Sequence, residues 1–457
     1  MAKVQKLSGI TPVLPFSEYD LFSSYRQSFD KSDLGALHRL FPFSEFSSGM
    51  KLSKKPTGRI PYFDGQGKIA LMILKHLSGF SDKDLITHLN SNLHYQFFCG
   101  IYIHPASPLT NFKIVSDIRC ELARCLDINT LQRIIADKWK PYLDNLHLLF
   151  SDATCYESHV RYPTDVKLLW ECVEWLYKQM RLMHKHLRVR MPRTKYDKQS
   201  SRYHSYSKKR KRRKSETRVL KRSLLHLQSK LIGLIDEFVE EYRDKLTMNK
   251  SFRERMSVIR TIYRQQQLRF DGGKVDNQIV SIHKSYIRPI VRGKETKSVE
   301  FGAKVNLLQV DGINFIEHLS FDAFHEGIRL PSCILKQQEL FHTEVTHVGA
   351  DALYATNANR KYCSQNNITT SFVRKGRAGR DEDQTRIVRG ALSKERSTRL
   401  EGSFGVEKEH YTLRKVKAMT EQTEILWIFF GIHTANAVRM IEKVRKKHLK
   451  EKEKIPA

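Results

Sequence analysis

The chain has 457 residues, more than one ordinary domain needs and enough for two or three. Hydrophobic residues make up 40% and aromatics 10%, which excludes wholesale disorder and allows a sizeable core. Lys plus Arg number 80 against 49 acids, a net charge of +31, and a field of that size points to nucleic acid ahead of a ribosome-like structural role or a membrane surface.

The seven cysteines are scattered, with no CxxC pair and no Cys/His knuckle spacing, so a zinc finger is not expected. An odd count without an apolar signal core at the start suits a reducing cytosol. The longest apolar run, Ile425 to Ile432, is too short to span a bilayer. The expectation is a cytoplasmic, nucleoid-associated protein with no membrane partner.

Residues 67 to 140 read as helical. Ile69, Leu71, Met72, Leu74 and Leu77, then Leu85, Ile86 and Leu89, recur mostly at spacings of three and four. Gly79 can end the first of these helices, and Ser81 before Asp82 and Asp84 can cap the next. Such a helix-turn-helix could read DNA, although any small helical bundle has the same pattern. Residues 146 to 150 read as a buried strand ending at Ser151-Asp152. Val166 to Leu187 and Leu220 to Phe238 then give two long helices, each with one apolar seam, predicted to pack on each other. Asp165 is read as the cap of the first.

Between these helices, Lys208, Lys209, Arg210, Lys211, Arg212, Arg213 and Lys214 form a like-charge block with Tyr196, Tyr203 and Tyr206 upstream. The block repels itself and suits phosphate contact. Further on, Ile279 to Ile282 reads as a short strand. Val299 to Val310 and Phe315 to Phe321 read as a hairpin about Asp311-Gly312. Val345 to Ala350 reads as a strand ending at Asp351. A helix from Asn357, a strand at 368 to 373, a Gly- and Arg-rich loop at 374 to 390 and a helical region from Thr398 to Lys447 complete the chain.

Phosphodiester cleavage by a metal pair needs carboxylates brought together from rigid elements. Asp152 and Asp351 each follow a predicted strand. Glu401 and Lys408 are seven apart, nearly two helical turns, and so share a face. Magnesium prefers such hard oxygen ligands. Gly402 and Gly405 are poor helix formers, which suggests close approach by DNA or another segment. Asp311 is read as a turn residue. Asp322 and Glu326, flanking Phe324, are lesser ligand candidates, and His318 and His347 are read as packed strand residues.

Several stretches resemble the bacterial insertion-sequence DDE transposases with an InsH-type helical N-terminal domain. They are Leu-Ser-Gly-Phe-Ser-Asp-Lys-Asp-Leu (77–85), Asn-Leu-His-Tyr-Gln-Phe-Phe-Cys-Gly (92–100) and Asp152-Ala-Thr with the 162–169 segment. Farther along come Arg288-Pro-Ile-Val-Arg-Gly-Lys294, Val299-Glu-Phe-Gly-Ala-Lys304, Ala350-Asp-Ala-Leu-Tyr354 with Asn357, and Arg399-Leu-Glu-Gly-Ser-Phe-Gly405 with Lys408. The resemblance spans roughly residues 60 to 440.

The resemblance implies a mixed α/β chain with an RNase H-like catalytic core. Residues 1–140 would be an N-terminal helical, DNA-binding domain. The core would comprise 141–165 and 299–440, split by a basic helical insertion at 166–298, with 441–457 a basic tail. Asp152, on the first core strand, Asp351, after the fourth, and Glu401, on a late helix, would be catalytic and would hold two Mg2+ ions, replaceable by Mn2+. Lys408 and Arg399, with the 208–214 block, would bind DNA. The implied activity is cleavage of transposon ends and strand transfer into target double-stranded DNA by a homodimer. The alternatives are a metal-dependent nuclease on a similar core and a non-catalytic DNA-binding derivative. One departure stands out: related transposases often carry Tyr and Arg at set spacings before the Glu, whereas here the Tyr is absent and Ser397 stands at the Arg position, between Arg396 and Arg399.

Overall fold

The computed structural model describes residues 18–52, 61–291, 299–376 and 382–453. The first seventeen residues, the end of the 288–294 motif, part of the Gly/Arg-rich stretch and the last four residues lie outside these ranges.

Eight helices come first: α1 (Glu18–Lys31), α2 (Asp33–Leu40), α3 (Phe43–Gly49), α4 (Gly65–Ser78), α5 (Asp82–Ser91), α6 (Leu93–Phe98), α7 (Lys113–Arg124) and α8 (Ile128–Trp139). Their punctuation follows the expected chemistry. Gly79 ends α4 in the left-handed region at φ 67°, and the Ser81 side chain accepts from Asp84 N–H to cap α5.

Strand β1 (Leu148–Glu157) is twice the length expected, and Asp152 lies inside it rather than at its end. Thr154, Cys155 and Tyr156 suit a strand by their side chains, and pairing on both edges carries it on. Four helices follow: α9 (Asp165–Leu187), α10 (Tyr196–Lys208), α11 (Lys214–Glu241) and α12 (Lys250–Phe270). Helices α9 and α11 pack along their apolar seams. Thr164, not Asp165, caps α9; Asp165 instead pairs with Lys221 and Arg269, at 2.7 Å each.

Strand β2 (Pro289–Val291) precedes the hairpin of β3 (Val299–Val310) and β4 (Ile313–Ser320). Asp311 and Gly312 both have positive φ, at 45° and 83°, the mirror-image turn that matches strand twist. Ile279 to Ile282 is not a strand. Its Val280 packs into the main core while Ile279 and Ile282 pack into the helical insertion, so the apolar run bridges two cores.

The remaining elements are α13 (Leu330–Phe341), β5 (His347–Ala350), α14 (Asn357–Gln365), β6 (Thr369–Thr370), α15 (Glu382–Glu395), a π-helical turn (Arg396–Glu401), α16 (Gly402–His410) and α17 (Glu421–Glu453). The stretch expected as loop to residue 390 is therefore helical from Glu382 onward. The C-terminal helical region comprises the π turn, α16 and α17, and α17 continues through most of the basic tail.

The described strands form one mixed sheet. Strand β1 is central, antiparallel to β3 on one side and parallel to β5 on the other. β4 extends the sheet beyond β3, and β6 extends it, parallel, beyond β5. One hydrophobic core joins the sheet to the N-terminal helices: Leu71, Ile73 and Leu122 belong to the same cluster as Phe150, Leu307 and Phe429. Helix α17 runs between them, packed on α2, α4 and α7 and on β4. The insertion has its own core, built around Leu169, Leu176, Leu224, Leu231 and Ile259.

Candidate active site

Alternation along β1 sets the site. Asp152, Thr154 and Tyr156 are two apart and so project from one face. Each meets the segment 396–408: Asp152 meets Arg396, Thr154 meets Lys408 and Tyr156 meets Glu407.

Asp152 is largely buried. Its Oδ1 accepts from the Ala153 N–H at 2.7 Å, and its Oδ2 accepts from Arg396 Nη1 at 2.9 Å. Burial pushes its carboxyl up to about 6, opposed by the Arg396 charge and the Ala153 hydrogen bond and reinforced by Glu326 and Asp351.

Asp351 follows β5 as the sequence suggests, and its Oδ1 accepts from the next N–H, that of Ala352, at 2.6 Å. Because β5 runs parallel to β1 with Ala350 paired to Ser151, Asp351, just past the end of β5, follows that pair, as Asp152 does within β1, and the strands are spaced about 4.8 Å apart. Tyr354, three residues on, is buried. Asn359 donates to the Gly327 and Tyr354 carbonyls and so ties the Asp351 turn to the turn carrying Glu326. Glu326 pairs at 3.7 Å with Lys304. Asp322 stands at the exposed surface, 3.7 Å from Arg288. His318 packs edge-on against Phe324, and His347 against His147.

Glu401 ends the π turn. Its Oε1 is 2.8 Å from the same Arg396 nitrogen that holds Asp152. One guanidinium thus bridges two carboxylates 249 positions apart in sequence. The π turn accounts for the reach of Arg396 to Glu401. In an α-helix, residues four apart stack; in a π turn, residues five apart do. Arg396 and Glu401 are five apart, and the widened turn sets them together. Nothing in residue spacing alone announces a π turn, so Arg396 was not a sequence-predicted site residue.

Lys408 Nζ donates to Thr154 Oγ1 at 2.8 Å and lies 5.7 Å from the Tyr156 ring centre. Arg399 turns to Glu395, at 2.6 Å, and to Asp311 rather than to the acids. Lys208 ends α10 and Lys214 begins α11, with Lys209, Arg210, Lys211, Arg212 and Arg213 in the exposed link. Lys209 pairs with Glu216 at 2.6 Å, and Arg212 lies over Tyr206.

Two of the three carboxylates, Asp152 on a central strand and Glu401 on a helix turn, face one shared cation, and carboxylate oxygens are the kind of donor a hard divalent ion takes. Among the described residues, no three His, Cys, Asp or Glu side chains stand close enough together to hold a metal as they are. Between Asp152 and Glu401 the shared cation is the Arg396 guanidinium.

Residues 23–120 match the family described as Transposase domain (DUF772), a match that supports a transposase-related chain. No curated protein and no solved structure matches the chain. Among the described residues, no helix is long and apolar enough to cross a membrane.

Proposed function

We propose that this chain is a DDE transposase that cleaves transposon DNA ends and joins them to target DNA, with Asp152, Asp351 and Glu401 as its catalytic carboxylates on an RNase H-like core. The observation that carries this reading is the pairing of Asp152 and Glu401 through one guanidinium, with Asp351 just past the end of the adjacent parallel strand. The sheet order supports it as well. Leaving aside the three-residue β2, Asp152 is on the first long strand and Asp351 follows the fourth. The transposase-domain match over α1 to α7 agrees.

The three carboxylates would hold two Mg2+ ions, with Mn2+ able to replace them. When bound, the ions supply Lewis acidity and charge neutralisation at the scissile phosphate. The chain's own residues do the rest. Strands β1 and β5 fix the two aspartates, and a buried packing shell limits water around Asp152. Lys408, steadied by Thr154 two residues along β1 from Asp152, would offer its ammonium to a DNA phosphate. The exposed cations from Lys208 to Lys214 add sequence-independent attraction to the backbone. Joining two transposon ends calls for two copies of the chain.

The test uses purified Asp152→Asn, Asp351→Asn and Glu401→Gln chains on duplexes carrying the ends of the coding element, with Mg2+. Cleavage and strand transfer should fall by at least about three orders of magnitude, the scale of removing one member of a catalytic unit, while DNA binding stays near that of the unaltered chain. Full cleavage by any one variant sinks the assignment. A pre-cut end that is never joined to target would instead mark a nuclease, and no nicking at all by the unaltered chain a non-catalytic binder.

A further inference from the structure

The cation in the carboxylate cluster is covalently part of the protein. Arg396 Nη1 donates to Asp152 Oδ2 at 2.9 Å and stands 2.8 Å from Glu401 Oε1. Asp152 Oδ1 already accepts from the Ala153 N–H. Both Asp152 oxygens therefore have partners, and the one that faces Glu401 is held by the guanidinium.

We propose that Arg396 is a positioning residue that occupies the cation seat between Asp152 and Glu401, so that a divalent ion can load there only as the guanidinium leaves. This rests on the reading of those carboxylates as metal ligands. The competition is for the same oxygen lone pairs, since a hard ion needs the carboxylate oxygens the guanidinium now takes. Ion and guanidinium cannot share those lone pairs, so the arginine side chain must move for the ion to bind. Arg396 and Glu401 lie on one turn, and the Glu401 side chain is 48% exposed, against 15% for Arg396 and 17% for Asp152. The pair is therefore open to solvent on the Glu401 side, from which an incoming ion would reach it. The π turn is what puts Arg396 in the seat. An arginine at position 397 would leave a regular helix at a different angle, roughly 100° round the axis.

The experiment measures Mn2+ binding to the full chain without DNA, by electron paramagnetic resonance, with thermal melts in EDTA to establish folding. Arg396→Gln should bind Mn2+ about ten- to a hundredfold more tightly than the unaltered chain, the range over which neighbouring groups tune metal affinity. Its melting temperature should also rise more on adding Mn2+. Arg396→Lys, which restores the charge, should return to the weak affinity. Equal or weaker binding by Arg396→Gln overturns the proposal, and tight binding by Arg396→Lys overturns it too, by placing the effect in packing. Arg396→Met, with a similar stem, replaces Arg396→Gln if the latter fails to fold. Asp152→Asn separates this from the functional reading. Binding that is lost in Asp152→Asn but equal in the unaltered and Arg396→Gln chains leaves the carboxylate site standing and removes only the role of Arg396. Absence of Asp152-dependent binding in every chain removes the site itself.

Discussion

Glu407 is a fully buried acid among polar partners. The Tyr156 hydroxyl donates to one carboxylate oxygen and Asn314 Nδ2 donates to the other at 2.6 Å. Burial pushes its pKa from 4.5 up to about 7, although both hydrogen bonds and the charges of Arg439 and Lys408 oppose the rise. The unfolded chain loses this proton near 4.5, whereas the folded chain keeps it until about 7. Between those values the folded state binds more protons, so this group's contribution to stability is greatest below pH 4.5 and declines as pH rises to 7. Glu407→Gln has no proton to lose. Its carbonyl still accepts from Asn314, and the Tyr156 oxygen can accept from the new amide. Urea titrations at pH 4.5 and pH 7.5 should therefore show the variant gaining roughly 3 kcal/mol on the unaltered chain across that interval. A difference between the two chains that stays constant with pH would mean that Glu407 is ionised normally.

At the scale of elements, α16 carries two glycines with nothing to gain from them in packing. A Cβ at Gly402 or at Gly405 would meet no atom within 4 Å, and neither glycine has positive φ. No described segment of the chain approaches them; under the proposed function, DNA would be the close neighbour. Gly402→Ala and Gly405→Ala should each stabilise the fold by about 0.5–1 kcal/mol while weakening DNA binding and end cleavage. A variant that melts higher and cleaves as well as before would show that DNA does not approach this face.

The Ser81 cap, the hairpin at Asp311-Gly312 and the strand before Asp351 could all be read from the sequence, because each depends on residues within a few positions of one another. The length of β1 could not: polar Ser151, Asp152 and Thr154 interrupt the apolar run, and its pairing with β3 and β5 is long-range. Ile279 to Ile282 misled because a short apolar run reads alike whether it pairs in a sheet or straddles two cores. Arg396 stayed hidden because its reach depends on a five-residue turn.

For the whole molecule, the two hydrophobic cores imply two units of cooperative stability. The N-terminal helices and the sheet share one cluster, and α17 stitches them together; the insertion keeps its own. The insertion returns to the body at a buried point, where Lys284 Nζ pairs with Glu424 and donates to the Ala418 carbonyl, and Ser158 donates to the same Glu424. That polar anchor fixes the insertion without merging the apolar interiors. Leu71 and Leu176 are both fully buried, the first in the shared core and the second in the insertion. Truncation to alanine should cost about 2–5 kcal/mol at either site, but the loss should be felt in different places. Native-state hydrogen exchange followed by mass spectrometry reads this directly. Leu71→Ala should speed exchange of the β1 peptide around Phe150, although the two residues lie 79 positions apart. Leu176→Ala should speed exchange in α9 and α11 and leave that peptide unchanged. Equal acceleration of β1 by both variants would mean that the cores open as one. Acceleration by neither would mean that the N-terminal helices, despite their shared interior, do not hold the strand on which Asp152 depends.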